Sequence, residues 1–174
     1  MPVYVKIDSG NFGTITQKTG SKDVAGRNSN TTSPLSEDYC LTFDWGYEFH
    51  QPHNDSFGAA DHSQAALESV VWVKVPMYHS IPALLLNVMA GKDNIKEMDV
   101  VEVDRAATGG SNKTTMVSTF KDGIVTDLKL EQGDQRNPDE KGRGHIIVKM
   151  KFQDITYDDK VINVSGHLDT TNAS

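Results

Sequence analysis

The sequence predicts a mainly β fold, a β-barrel or two-sheet sandwich carrying one short α-helix, and three observations support this. Val71, Val73 and Val75 alternate with Val70, Trp72 and Lys74, a period of two in β-branched and aromatic residues that marks a half-buried strand. After Pro76 the period changes, and Ile81, Leu84, Leu85, Val88 and Met89 fall at the spacing of one helix face. Over the whole chain about seven to nine strand-like runs accompany that single helix, a proportion that suits a barrel or sandwich. The helix then covers part of the sheet or one open end.

Taken in order, Val3, Val5 and Ile7 alternate with Tyr4 and Lys6 to give a first strand. From Asp8 to Glu37 the composition turns to Gly, Ser, Thr and Asn, which reads as a polar insertion with a short strand at Phe12 to Ile15. A structureless loop of this length is normally functional or disordered, and a surface insertion is the plainest account of it. Tyr39 to Phe49 is a second clear strand, with Leu41, Phe43 and Trp45 on one face and Thr42 and Asp44 on the other. Gln51 to Ala66, with Pro52, Gly58 and small residues, is a loop.

Leu67 to Arg105 then packs strand, helix and strand into one run. Ser80 is placed to cap the helix, Pro82 suits its first turn, and Gly91 with Lys92 supplies the stop. Met98, Val100, Val101 and Val103 restore strand character until Ala106 to Asn112 breaks it with Gly109 and Gly110. Thr114 to Leu130 reads either as two strands turned at Lys121-Asp122-Gly123 or as one strand bent at Gly123, with Phe120, Ile124 and Leu128 as its core contacts. Gln132 to Gly144 is charged and turn-rich. His145 to Tyr157 has one apolar face in Ile146, Val148, Met150 and Phe152, Val161 to Leu168 adds a short last strand, and the tail from Thr170 to Ser174 frays.

A chain of 174 residues is the length of one domain and buries a core without disulfide or metal. Its 17 Lys+Arg against 24 Asp+Glu leave a net charge of −7 with no basic cluster, which excludes nucleic acid as a natural partner. No apolar run approaches the roughly 20 residues that span a bilayer. Cys40 has no second cysteine to pair with, and the N-terminus opens on a strand instead of a basic segment followed by an apolar one. The expectation is a chain folded in a reducing cytoplasm that leaves, if it leaves, by a route needing no cleavable signal.

Signatures of chemistry are sparse. Gly109 to Thr114 superficially resembles a phosphate loop, but Asn112 stands where the glycine before the lysine is required. No G-x-S-x-G, H-E-x-x-H or Cys-x-x-Cys occurs. His50, His53 and His62, with Asp55 and Asp61, are the one cluster with ligand chemistry for Zn²⁺ or Ni²⁺, and with it a small metal-binding enzyme is conceivable. Their spacing matches no rigid ligand pattern, and polar loops gather such residues because water solvates them. Asp122, Asp127, Asp154, Asp158 and Asp159 fall at turns and strand ends, where Asp is common. Cys40 reads as a small buried hydrophobe, and Trp45 and Trp72 as core or interface anchors. No catalytic residue, cofactor or metal is therefore expected.

Several runs resemble one family in shared order and spacing: Tyr4 to Asp8; Leu41-Thr42-Phe43-Asp44-Trp45-Gly46; the helix start Ser80-Ile81-Pro82-Ala83-Leu84-Leu85-Leu86; Gly91-Lys92 with Ile95-Lys96-Glu97; Phe120 to Val125; and Val148 to Tyr157. The family is the haemolysin-coregulated proteins, Hcp, of bacterial type VI secretion systems. The chain departs from it in the Asp8 to Glu37 segment, longer than the family's connection and without its Gly-Glu-Ser, and in a short end after Tyr157. The resemblance implies a single tube domain over residues 1–174 with a polar insertion at about 8–37. It further implies six copies closing into a ring, and rings stacking into a hollow conduit that holds effector proteins and is expelled with them. Sheath and spike proteins would be its further partners, and assembly in the bacterial cytoplasm would precede secretion without a signal peptide. A tail-tube protein of a phage-like contractile particle would share the same fold and mechanism. By the same resemblance the Gly46 to Ala66 loop reaches toward a neighbouring subunit or ring, which places Tyr47, Glu48, Phe49, His50, Gln51, His53, Asp55 and Phe57 in an assembly loop.

Overall fold

A computed structural model describes residues 2–16, 38–42, 44–50, 68–77, 80–104, 113–132 and 144–170. The alternating runs pair into strands β1 (Val3–Ser9), β2 (Gly13–Thr14), β3 (Cys40–Thr42), β4 (Asp44–His50), β5 (Glu68–Pro76), β6 (Ile95–Asp104), β7 (Lys113–Glu131), β8 (His145–Asp159) and β9 (Val164–Asp169), with helix α1 (Ile81–Asn87) between β5 and β6. The path through the sheet is β2-β1-β6-β7-β8-β5-β4, with β3 paired to β1 and β9 paired to β8. Every pairing is antiparallel.

The sheet closes at residues 40–50. Val3 pairs with Thr42 on one side, and Asp44 pairs with Lys74 on the other, so this stretch joins the β1 end of the path to the β5 end. At the changeover the buried Thr42 hydroxyl lies 2.9 Å from the carbonyls of both Asp44 and Lys74 and shares its proton between them. That bond satisfies backbone acceptors where the ladder changes partner. The same change of partner separates residues that simple alternation puts on one face: Leu41 packs outside the barrel on Tyr4, Val101 and Val103, whereas Trp45 packs on the main core.

Inside, Val71, Val73 and Val75 face Ile146, Val148 and Met150, all fully buried, as their period requires. Cys40 is buried with them. Residues 113–131 form one continuous strand, the second of the two readings, and Asp122 sits in it with φ 55°. The left-handed residue slips the alternation by one. Met116, Ser118 and Phe120 point inward before it and Gly123 and Val125 after it, which turns Ile124 outward to 56 % exposure instead of into the core.

α1 begins as expected in position but not in chemistry. Pro82 occupies the first turn and the Leu84 N–H donates to the Ser80 carbonyl at 2.9 Å, while the Ser80 side chain makes no capping bond. Ile81, Leu85 and Val88 are buried. From Val88 to Lys92 the helix widens into one π turn that ends at Gly91, φ 77°. Met89, inside this turn, is exposed instead of lying on the apolar face, as is Leu86. The first residues of the proposed insertion belong to the fold: Asp8 to Thr16 complete β1 and β2, with Ile15 and Thr16 buried. Residues 17–37 lie outside the described residues.

Candidate assembly surfaces

β4 carries the first four residues of the expected assembly loop, and it is a strand there. Because alternate residues share a face, Trp45, Tyr47 and Phe49 form an aromatic row, with ring centroids 5.9 Å and 5.3 Å apart. Tyr47 also meets Phe120 edge-on at 5.9 Å. Trp45 and Phe49 pack on the core, whereas Tyr47, Glu48 and His50 remain exposed. Gly46 lies between them against Trp72, whose ring would stand 2.3 Å from an added Cβ. Gln51, His53, Asp55 and Phe57 lie outside the described residues, as do His62 and Asp61 of the histidine cluster and the Gly109 to Asn112 part of the glycine run. Among the described residues no three His, Cys, Asp or Glu side chains converge to hold a metal.

Of the five carboxylates expected at turns and strand ends, Asp122, Asp127 and Asp154 lie within strands, and four have separate partners. Asp154 Oδ1 lies 2.9 Å from His167 Nε2, Asp158 pairs with Lys160 at 3.1 Å, and Asp127 accepts from the Thr126 hydroxyl at 3.0 Å. Asp159 Oδ1 accepts from the Val161 and Ile162 N–H groups at 2.9 Å and 3.1 Å. No two of them share a proton site. Between β3 and the sheet, Asp99 accepts from the Tyr39 hydroxyl at 3.2 Å and the Thr119 hydroxyl at 3.0 Å. Burial, reinforced by the Asp99 charge, pushes the Tyr39 phenol far above its usual range. The phenol therefore remains a neutral donor, which makes it a strut that ties β3 to β6 and β7.

Asp93, just past the π turn, fastens a second corner. Its Oδ2 accepts from the Asn11 and Phe12 N–H groups at 2.7 Å and 3.2 Å, and its Oδ1 accepts from the Asn94 N–H at 2.8 Å. Burial pushes this carboxyl up, but the N–H groups of Asn11 and Asn94, the Ser9 hydroxyl and the Phe12 N–H together outweigh it and hold it below the usual carboxylate range. A depressed folded-state pKa gives stability that is complete above the unfolded value and is lost as pH falls through the folded one. Asp93→Ala is therefore expected to lower the melting temperature at neutral pH, with the gap to wild type narrowing below about pH 4. A gap that stays constant from neutral to acid pH would show that the carboxylate charge is not what holds the corner. The effect is modest because the site is exposed and solvent screens it.

The β8–β9 hairpin runs on past the end of β5. Met150 is the last β8 residue to pair with β5, and β9 takes over the same edge from Asp154 to Asp159. Its turn presents Val161, Ile162 and Val164 at 69 %, 66 % and 56 % exposure. Asn163, at φ 55°, closes the turn.

No family model and no curated protein matches the chain. Solved structures do. A crystal structure of an Hcp protein superposes with a TM-score of 0.72 over 97 % of this chain and 99 % of that one, at 19 % identity. The chain has the Hcp fold. The secreted Hcp3 of Pseudomonas aeruginosa matches at 0.67 over 97 % of each chain, at 18 % identity. A type VI secretion system effector of Yersinia pestis matches at 0.59, covering 96 % of this chain and 98 % of that one at 13 % identity. The Hcp likeness therefore covers the strand–helix–strand unit and both long strands together, as the spacing of the motifs implied. Among the described residues no helix is long and apolar enough to cross a membrane.

Proposed function

We propose that this chain is the inner-tube subunit of a type VI secretion system, one domain over residues 1–174 with a polar insertion after β2 and no catalytic role. Six copies close head to tail into a ring, and rings stack into a conduit that carries effector proteins in its lumen and is expelled by a sheath behind a spike. The observation that supports this most is the whole-chain Hcp fold. Beside it, a barrel closed within the chain leaves apolar side chains exposed, at α1 and at the β8–β9 turn, that a monomer has no use for. Heterologous contacts between unlike patches close into rings when their rotation divides a full turn. Tyr47, Glu48, Phe49 and His50 at the end of β4, followed by Gln51, His53, Asp55 and Phe57, form the arm that reaches the neighbouring subunit or ring. The protein is made in the bacterial cytoplasm and exported through the tube's own expulsion.

Light scattering of the purified protein, followed by negative-stain microscopy of the same fraction, tests this reading. The expected result is a six-fold particle with a central hole. A clean monomer at high protein concentration would overturn it.

A further inference from the structure

The β8–β9 hairpin has features of a built contact. Turns of this kind are ordinarily polar, yet this one holds out two adjacent β-branched residues, Val161 and Ile162, with a third, Val164, at the start of β9. The turn is also stiff. Asp159 satisfies both of its leading N–H groups, Lys160 donates its N–H to the Thr115 carbonyl at 2.8 Å, and β9 is tied along β8 from Val164 to Asp169. An apolar tip held in place in advance loses little entropy when it is covered.

The same chain carries a hollow that the tip cannot reach. Where β5 leaves β8 and β9 replaces it, a groove of about 400 Å³ opens between Glu68, Phe152, Lys151 and Thr170, with the exposed Ile124 on its wall. Phe152 and Lys160 are eight residues apart on an extended strand, about 26 Å, so the hairpin cannot fold its own tip into its own groove. Both carry charges of either sign: Asp158, Asp159 and Lys160 lead into the tip, Asp158 paired with Lys160 at 3.1 Å, and Lys151 stands in the groove with Glu68 and Asp122.

We infer that the tip of one copy, Val161, Ile162 and Val164, seats in the groove at Ile124 and Phe152 of a second copy of this chain. Lys160 then faces Glu68 and Asp122, and Asp158 faces Lys151. The two halves are unlike and lie at different heights on one strand, so the contact is head to tail and propagates without a two-fold axis. It rests on the tube reading and gives that reading one of its contacts.

The test compares wild type, the double substitution Val161→Asp/Ile162→Asp, and the cysteine pair Ile162→Cys with Ile124→Cys, by light scattering and by non-reducing gel after mild oxidation. Ile162, Ile124 and Val161 are all exposed, so melting should stay within a few degrees of wild type. The expected results are an at least ten-fold loss of assembled particles in the aspartate variant and a ladder of disulfide-linked multimers in the cysteine pair. Either cysteine alone should stay monomeric on the gel. Wild-type rings alongside intact rings in the aspartate variant would overturn the inference and leave the tube reading standing. Dimers from Ile162→Cys alone would overturn it in favour of a two-fold tip-to-tip contact. A wild type that never assembles would overturn both.

Discussion

Phe120→Ala is expected to cost about 3–5 kcal/mol of unfolding free energy, the range for emptying a fully buried aromatic site. Among the described residues Phe120 is the largest fully buried side chain, and it stands where three elements meet. Its ring lies 5.3 Å from Phe152 on β8 and 5.9 Å from Tyr47 on β4, and its backbone pairs with Met98 on β6. Removing it deprives both the β4 aromatic row and the β7–β8 core of their shared contact, and β7 and β8 are each paired on both edges, so the space does not collapse. Against a typical net stability of about 5–15 kcal/mol this is a large share. Urea unfolding should show the midpoint falling with little change in slope. A loss below about 1 kcal/mol would mean that the aromatic row repacks into the gap.

Gly123→Ala is expected to be nearly as damaging by the opposite route. An added Cβ would stand 2.4 Å from two atoms of the Phe152 ring and 3.0 Å from the Lys151 carbonyl oxygen. Phe120 packs against the ring at 5.3 Å, and the carbonyl belongs to the neighbouring strand. Overpacking of this kind costs about 1–3 kcal/mol, and the upper end is expected here. Gly166→Ala on β9 is the control, since nothing lies within 4 Å of its added Cβ; it should melt like wild type. Combining Gly123→Ala with Phe152→Leu should recover part of the loss. Equal melting of Gly123→Ala and Gly166→Ala would show that strand β7 shifts to absorb the methyl group.

How much of this was readable beforehand depends on whether the signal was local. Period-two runs such as Val71 to Val75 and Ile146 to Phe152 report burial on one face directly, and they lie as their spacing implies. So does the helix core of Ile81, Leu85 and Val88. What failed were the phase changes. Its spacing from Phe120 places Ile124 inward, but Asp122 in the left-handed region resets the phase, and the Asp-Gly pair inside an apolar strand marks where. Alternation places Leu41 and Trp45 on one face, because a change of partner strand leaves no mark on composition. Of the assembly residues, Tyr47 and Phe49 alternate with Glu48 and His50, a strand pattern visible in the sequence. The hairpin tip was hidden, since Val161 and Ile162 look like the start of a strand when Asn163 is passed over. The groove, built from β5, β7, β8 and the residue after β9, has no local signature at all.

The closure at Thr42 also shapes how the chain reaches its native state. β1 pairs with β6 nearly a hundred residues away, as Val3 does with Glu102, and β5 with β8 nearly eighty away, as Val71 does with Met150, whereas residues 40–50 reach β1 and β5 across fewer than forty, as Val3 does with Thr42 and Asp44 with Lys74. The longest separations carry the largest loop-closure cost and slow the search, so the barrel shuts at this seam only once β1 and β5 stand in the same sheet. The chain's single cysteine stands in it, Cys40 opposite Val5 and fully buried. Its thiol is sealed from solvent only while the barrel is shut, and its rate of labelling in the native protein therefore times the opening of that seam.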